Sequence, residues 1–243
     1  MPFDLTNFGL AEMLQCGRGL RTAAAGASTM EAVARATTRF LHNECVDPAT
    51  NRSSCALVRF YKTHAYSELR SEDRDFARRL LNGERASPGL TCLTMLATSG
   101  DEPHWNDRSH SQGHRVIPLV SVQMVESAPM IAALIRQFGL AIEAVVSPPK
   151  MADALAGKTY NVFHVPEAKG SSAIPAQTDF VIPYHIRSAL GFGGVLRSGD
   201  FYAVIMFTKV PISEATASRF RNIALEVKTL LFNFDSSQVF EPR

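Results

Sequence analysis

The sequence predicts a mixed α/β fold of the α+β kind, with strands through the middle of the chain and a helix closing it. Residues 201–207 (FYAVIMF) are an unbroken apolar run, bounded by Ser198, Gly199 and Asp200 on one side and Pro211 on the other, as in a strand buried on both faces. From Ser213 the period changes, and Phe220, Ile223, Ala224, Val227, Leu230, Leu231 and Phe234 recur with the spacing of an amphipathic helix. The stretch 174–207 as a whole reads as strand, turn, strand before that helix.

The N-terminal part reads as two helices. Leu10, Met13, Leu14 and Leu20 form the first stripe, and Gly26 marks the break. Ser28 and Glu31 have the Ser-x-x-Glu spacing of a capping box, opening a second helix through Val33, Phe40 and Leu41. A polar loop over 43–54, with Asp47-Pro48, leads to a first strand at 55–61 (CALVRFY). A charged helix follows over 71–81, with Phe76, Leu80 and Leu81 facing the core and Asn82-Gly83 ending it. Residues 91–98 (TCLTMLAT) are a second strand, and 99–113 a polar loop holding the lone tryptophan and two of the seven histidines, with His114 just beyond it.

Residues 115–125 are expected to be extended, at an edge or an irregular turn because Pro118 cannot donate to a ladder. For 127–139 the reading is a short helix capped by Ser127, with Pro129 in its first turn, Ile131, Leu134, Ile135 and Phe138 as its stripe and Gly139 as its stop. Residues 140–146 and 159–165 read as strands around a Pro-Pro turn and a short helix over 151–156, and 166–177 is a loop. There is no internal repeat and no linker, so one domain spanning 1–243 is expected.

Composition narrows the function classes. With 25 basic and 23 acidic residues scattered along 243, the net charge is +2 and no basic tract matches a row of phosphates, so no nucleic-acid partner is expected. No uncharged apolar stretch approaches membrane-spanning length and no cationic leader precedes the first helix, so the expectation is a soluble, cytoplasmic protein without a membrane partner. Cys16, Cys45, Cys55 and Cys92 have no CxxC spacing, which favours buried, reduced thiols over a zinc ribbon or redox pair.

Four segments, GDEPHWNDRSHSQGHRVIPL (100–119), APMIAALIRQFGL (128–140), FHVPEAKGSSAIPAQTDFVIPYHIRSALGFGGVL (163–196) and GDFYAVIMFTKVPI (199–212), resemble the GAF-like input region that precedes PAS, histidine-kinase or other output modules in bacterial multidomain signalling proteins. The likeness runs from about residue 11 to residue 231. It implies a central antiparallel sheet of about six strands flanked by helices, long helices at both ends, and a ligand held between the sheet and the loops over one face. It also implies an output partner of kinase, cyclase or phosphatase type, either a domain of the same polypeptide or a separate protein.

The candidate ligand-binding residues fall in two sets: Trp105, Asn106, Asp107, Arg108 and His114 in the polar loop, and His164, Glu167, Tyr184 and Arg187, with His185 beside them. Arg108 or Arg187 offers a planar fork for a carboxylate or phosphate, and Trp105 and Tyr184 offer stacking area. Asn106, Asp107 and Arg108 fit equally well as ties across a long loop. His104, His110 and His114 lack a complete ligand set for a metal, and solvated loop histidines are the simpler reading. A haem on His164 or His185 is an alternative cofactor. Gly191, Gly193 and Gly194 resemble a phosphate-binding turn but lack its spacing, and close strand packing or a bulge accounts for them better.

The expected function is a signal-input module rather than an enzyme, one that binds a small ligand and passes on a change of shape or of dimer geometry through its terminal helices. The alternatives are a haem- or metal-dependent sensor, a small thiol- or histidine-dependent enzyme related in type to GAF methionine sulfoxide reductases, and a ligand-free dimerisation platform.

Overall fold

A computed structural model of the chain describes residues 2–81, 85–111, 113–146, 160–234 and 238–242. Helix α1 spans Leu10–Ala23 and α2 Met30–Glu44. The cap of α2 is Thr29 and not Ser28: its hydroxyl accepts the Ala32 N–H, and Glu31 turns instead to Arg70 at 3.0 Å. In α1 the buried side is Met13, Cys16, Gly17 and Leu20, while Leu10 (64% exposed) and Leu14 (52%) face outward. The leucine stripe expected from spacing is therefore split between two faces.

The expected polar loop contains a two-residue hairpin, β1 (Val46–Asp47) on β2 (Arg52–Ser53). The main sheet begins with β3 (Cys55–Ala65), and after α3 (Ser71–Leu80) continues with β4 (Thr91–Gly100) and β5 (Val116–Pro118). Both long strands run further than their apolar runs indicated. Pro118 does sit on an edge strand, but the extended segment predicted over 115–125 stops there and gives way to α4 (Val122–Glu126). Helix α5 (Pro129–Gln137) has Pro129 at its first position and Gly139 just beyond its end at φ +74°, as expected. Its N-cap is Ala128, and Ser127 instead closes α4.

The strand predicted over 140–146 is helix α6 (Ile142–Val146), a case where a short apolar run carries no usable period. The short helix read at 151–156, the Pro-Pro turn before it and the Asn82-Gly83 stop lie outside the described residues. Strand β6 (Tyr160–Val165) follows, then a π-helical turn at Gln177–Val181 where strand had been expected. Strands β7 (Ser188–Val195) and β8 (Phe201–Thr208) and helix α7 (Glu214–Leu231), capped by Ser213, match the reading of the last third.

The six-stranded sheet is antiparallel throughout in the order β5-β4-β3-β8-β7-β6. Side chains alternate across β8: Tyr202, Val204 and Met206 join one core with α1, α2 and α7, while Phe201, Ala203, Ile205 and Phe207 join another beneath α4, α5, α6 and the loops. Both faces are buried, which is why the strand is apolar without interruption. The first core also takes Phe3, Leu5 and Phe8, and packs against Val239 and Phe240, so it reaches beyond the 11–231 core expected from sequence. A bulge in β4, where Phe60 pairs with Ala97 but Tyr61 with Met95, turns the strand by one residue. Leu96 and Ala97 thereby face the first core together, and Thr98 returns to the second side.

The segment 238–242 clips onto the start of α2. Met30 N–H donates to Gln238 O and Glu31 N–H to Val239 O, each at 2.8 Å, supplying acceptors to two first-turn donors that have none inside the helix. Phe240 stacks on His64 with ring centroids 5.3 Å apart, and the Arg70 guanidinium lies 4.7 Å from the Phe240 ring. His64 is buried, its Nδ1 facing Lys62 O at 3.3 Å and its Nε2 without a partner among the described residues. Burial, reinforced by the Lys62 charge, holds its imidazole well below its usual pKa. Above pH 6.5 this ring costs nothing, because it is neutral in both states. As pH falls below 6.5 the unfolded chain binds a proton that the folded one refuses, so stability is lost until the lowered pKa is reached. The expected slope from this residue is up to about 1.4 kcal/mol per pH unit. Urea unfolding of His64→Phe at pH 7.5 and 5.5 checks it: the variant should lose less stability between the two than the parent, and an unchanged difference would place the acid sensitivity elsewhere.

Candidate ligand-binding site

On the second side of the sheet lies a cavity of about 860 Å³. Its floor is three cross-strand rows: Leu57 with Phe207, Arg59 with Thr98 and Ile205, and Tyr61 with Met95 and Ala203. The walls come from Ile117, Met124, Met130, Ile131 and Leu134 on β5, α4 and α5, and from Ile174 and Phe180 beside the π-helical turn. The roof is the segment that follows β4, folded into two 3₁₀ turns, Pro103–Asn106 and Arg108–His110.

The β3 residues of the floor are held by ladders on both sides, so their positions are set by the sheet and not by loop packing. Arg59 is the one charged residue in the apolar strand CALVRFY, and alternation puts it on the cavity face between Leu57 and Tyr61. Its Nε is buried with no hydrogen-bond partner among the described residues, and none of the ion pairs among them includes it. Thr98 Oγ1, across the ladder, is likewise buried and unpartnered. Burial raises the Tyr61 phenol pKa, and the adjacent Arg59 partly opposes the rise.

Of the residues singled out in the sequence, Trp105, Asp107 and His114 line the cavity. Trp105 packs edge-on against Phe180, with ring centroids 5.7 Å apart, and at a tilt against Tyr184 at 4.4 Å, so Tyr184 backs the tryptophan and is not itself a lining residue. Asp107 accepts the Ser109 N–H at 2.8 Å, which holds its carboxyl below the ordinary value. His114 stands at the mouth with more than a third of its surface open; crowding around the ring and the Arg59 charge nevertheless lower its pKa to about 4. His104 and His110 lie on the same exposed rim. No group of three or more His, Cys, Asp or Glu among the described residues is placed to share a metal ion.

The other candidates stand elsewhere. Asn106 ties the loop to the end of β4, accepting the Gly100 N–H at 3.1 Å and donating to Gly100 O and Glu102 O at 3.0 Å. Arg108, from the same loop, points away from the cavity to Asp73, with Glu31 3.8 Å from its other nitrogen. His164 lies beyond the cavity, its Nε2 2.9 Å from Ile212 O, and Glu167, His185 and Arg187 are exposed outside the lining. The two sets of candidates therefore do not converge on one pocket. The polar floor, Arg59 with Tyr61 and Thr98, was not singled out; a lone arginine inside a buried strand was the available signal.

All four cysteines are buried. Burial pushes Cys16 and Cys92 up to about 12, and Cys45 is raised by its contact with Cys55 together with burial. Cys16, Cys45 and Cys92 are thus thiols rather than thiolates at neutral pH, and the thiolate is the nucleophilic form.

No family model matches the chain, and no curated protein matches it. Among solved structures, the chain is similar to a free methionine-R-sulfoxide reductase from Neisseria meningitidis in complex with its substrate, at 11% identity and TM-score 0.46, covering 91% of this chain and 89% of that one. A GAF domain from an Acinetobacter phosphoenolpyruvate-protein phosphotransferase aligns at 12% identity and TM-score 0.44, over 90% and 92% of the two chains. An N-acylhomoserine lactone dependent LuxR family factor from Burkholderia cenocepacia aligns at 12% identity and TM-score 0.38, over 96% and 99%. A six-stranded antiparallel sheet, with the opening and closing helices layered on one face and loops roofing a cavity on the other, is the architecture expected from the sequence.

Proposed function

We propose that this chain is a signal-input module, which binds a small ligand in the cavity and relays a change of shape to an output domain or a separate partner. The observation that carries the reading is the cavity itself: about 860 Å³, mostly apolar, with a few polar groups converging from a rigid floor. Sites that take small molecules have this size and lining. Trp105, Asp107 and His114 are the proposed roof and mouth contacts; Asn106 and Arg108 hold the loop in shape.

The relay is supported by where Arg108 is tied. It sits between the lining residues Asp107 and His110, and it binds Asp73 and approaches Glu31. Glu31 in turn accepts from Arg70 at 3.0 Å and from the Glu241 N–H at 2.9 Å. A ligand that repositions the loop therefore acts on the ion pairs that hold the start of α2 and the segment 238–242. It shifts them only by as much as it prefers one arrangement over the other. A homodimer is proposed through the outer side of α1 and α7, where Leu10, Leu14 and Leu225 are exposed although the inner stripe is spent on the sheet.

Native mass spectrometry of freshly purified protein, with the denatured mass as reference, tests both points. Extra mass that survives gentle ionisation and vanishes on denaturation supports the ligand reading and gives the ligand's mass. A bare monomer, with no shift on screening small organic compounds, would count against both.

A further inference from the structure

The cavity floor carries a guanidinium, Arg59, that forms no ion pair among the described residues. Arg59 is held in the centre of the sheet, flanked by Thr98 on one neighbouring strand and Ile205 on the other. Keeping a guanidinium on an apolar floor costs free energy unless a counter-charge or acceptors meet it. The acidic lining residues among those described, Asp107 and Asp179, are exposed, and neither forms an ion pair with Arg59. Arg108 and Arg115, the other arginines close to the roof loop, are already bound to Asp73. Among the described residues the site thus has at its base a guanidinium without a carboxylate partner, in hydrogen-bonding contact with the Tyr61 phenol and across the ladder from the Thr98 hydroxyl, with apolar walls and an acidic rim.

Building on the ligand-binding reading above, we propose that the ligand is a small organic anion with an apolar body, its single carboxylate or sulfonate seated inward on Arg59 with Tyr61 and Thr98 as further donors. The planar fork of a guanidinium matches such a two-oxygen head, and one cation suits a monoanion better than a polyphosphate. The acidic rim would repel the head and so favours the orientation with the apolar body outermost, against Trp105 and Phe180.

The test uses two fluorescent probes of one skeleton, 8-anilinonaphthalene-1-sulfonate and the uncharged N-phenyl-1-naphthylamine, titrated into the full chain and three variants. Arg59→Met should weaken the sulfonate probe about ten- to a hundredfold, the range for losing a charge-assisted hydrogen bond, and leave the neutral probe within about threefold. Arg59→Lys should recover part of the sulfonate affinity. Ala203→Phe, which fills the floor, should weaken both probes alike. Binding of the neutral probe to Arg59→Met also reports that this variant is folded. Loss of both probes in Ala203→Phe with an unchanged sulfonate affinity in Arg59→Met would overturn the anion seat and leave the cavity reading standing. If neither probe binds the parent, or Ala203→Phe affects neither, the cavity reading itself fails and the anion seat with it.

Discussion

Asp73→Ala is expected to lower the stability of the folded chain by about 3–5 kcal/mol, the cost of breaking a buried ion pair from one side. For a chain of this length that corresponds to a fall in melting midpoint of about 6–20 °C. Asp73 lies in the first turn of α3 with no exposed surface. One carboxylate oxygen accepts from Arg108 and the other from Arg115 Nε at 2.7 Å. The two guanidinium side chains are only 11% and 13% exposed, so water cannot replace the carboxylate. What remains for them is Glu31, 3.8 Å from Arg108, and Glu72, 3.0 Å from Arg115.

The loss has a local consequence as well, because Arg108 anchors the roof loop and its release should weaken ligand binding along with stability. Asp73→Asn, which keeps an acceptor and removes the charge, should fall between. The proper control is Asp75→Ala two residues along. Asp75 pairs with Arg78 at 3.1 Å, but those side chains are 57% and 66% exposed, and the change should cost no more than about 0.5 kcal/mol. Urea unfolding of the three variants decides the matter. Asp73→Ala costing no more than Asp75→Ala would show that the two arginines find other partners.

Gly193→Ala is the second large effect, for a reason of space. A Cβ at Gly193 would lie 2.0 Å from Tyr202 O, 2.9 Å from the Ala203 Cα and 2.9 Å from the Phe138 ring. Two of these three atoms are backbone of β8, the strand to which Gly193 is paired in register with Ala203. No rotamer change relieves such a contact; the ladder itself must part, in the middle of the sheet that floors the cavity. The cost is expected to reach or exceed the upper end of ordinary overpacking, about 3 kcal/mol. Gly89→Ala is the control, since a Cβ there meets nothing within 4 Å. That variant should be neutral or gain up to about 1 kcal/mol from the stiffer unfolded chain. Equal midpoints for the two variants in thermal unfolding would refute the packing argument.

Gly193 also illustrates how far local pattern reaches. Close strand packing at 191–194 is legible because the phosphate-loop spacing is missing. The register that makes Gly193 obligatory depends on β8 lying alongside, a pairing no local pattern contains. The same division holds at the site. The polar loop and its Trp105 are visible as a break between two apolar strands. The direction in which each loop side chain points is not, since 3₁₀ turns and Asn106 bonds to Gly100 rotate Asp107 inward and Arg108 away.

By itself the sequence determined the α+β class, the strand and helix of the last third, the bounds of α3, Pro118 at an edge and Pro129 at a helix start. These rest on period, on apolar runs and on the fixed geometry of proline and glycine, which are properties of contiguous residues. Only the tertiary structure decided that residues 142–146 are helix, that 177–181 coil into a π-turn, that Leu10 and Leu14 face out, and that Arg59 stands beneath the cavity while Arg108 and Arg187 do not. A five-residue apolar run has no period of its own, and a guanidinium becomes a binding group or a structural one according to whether a distant carboxylate, such as Asp73, reaches it first.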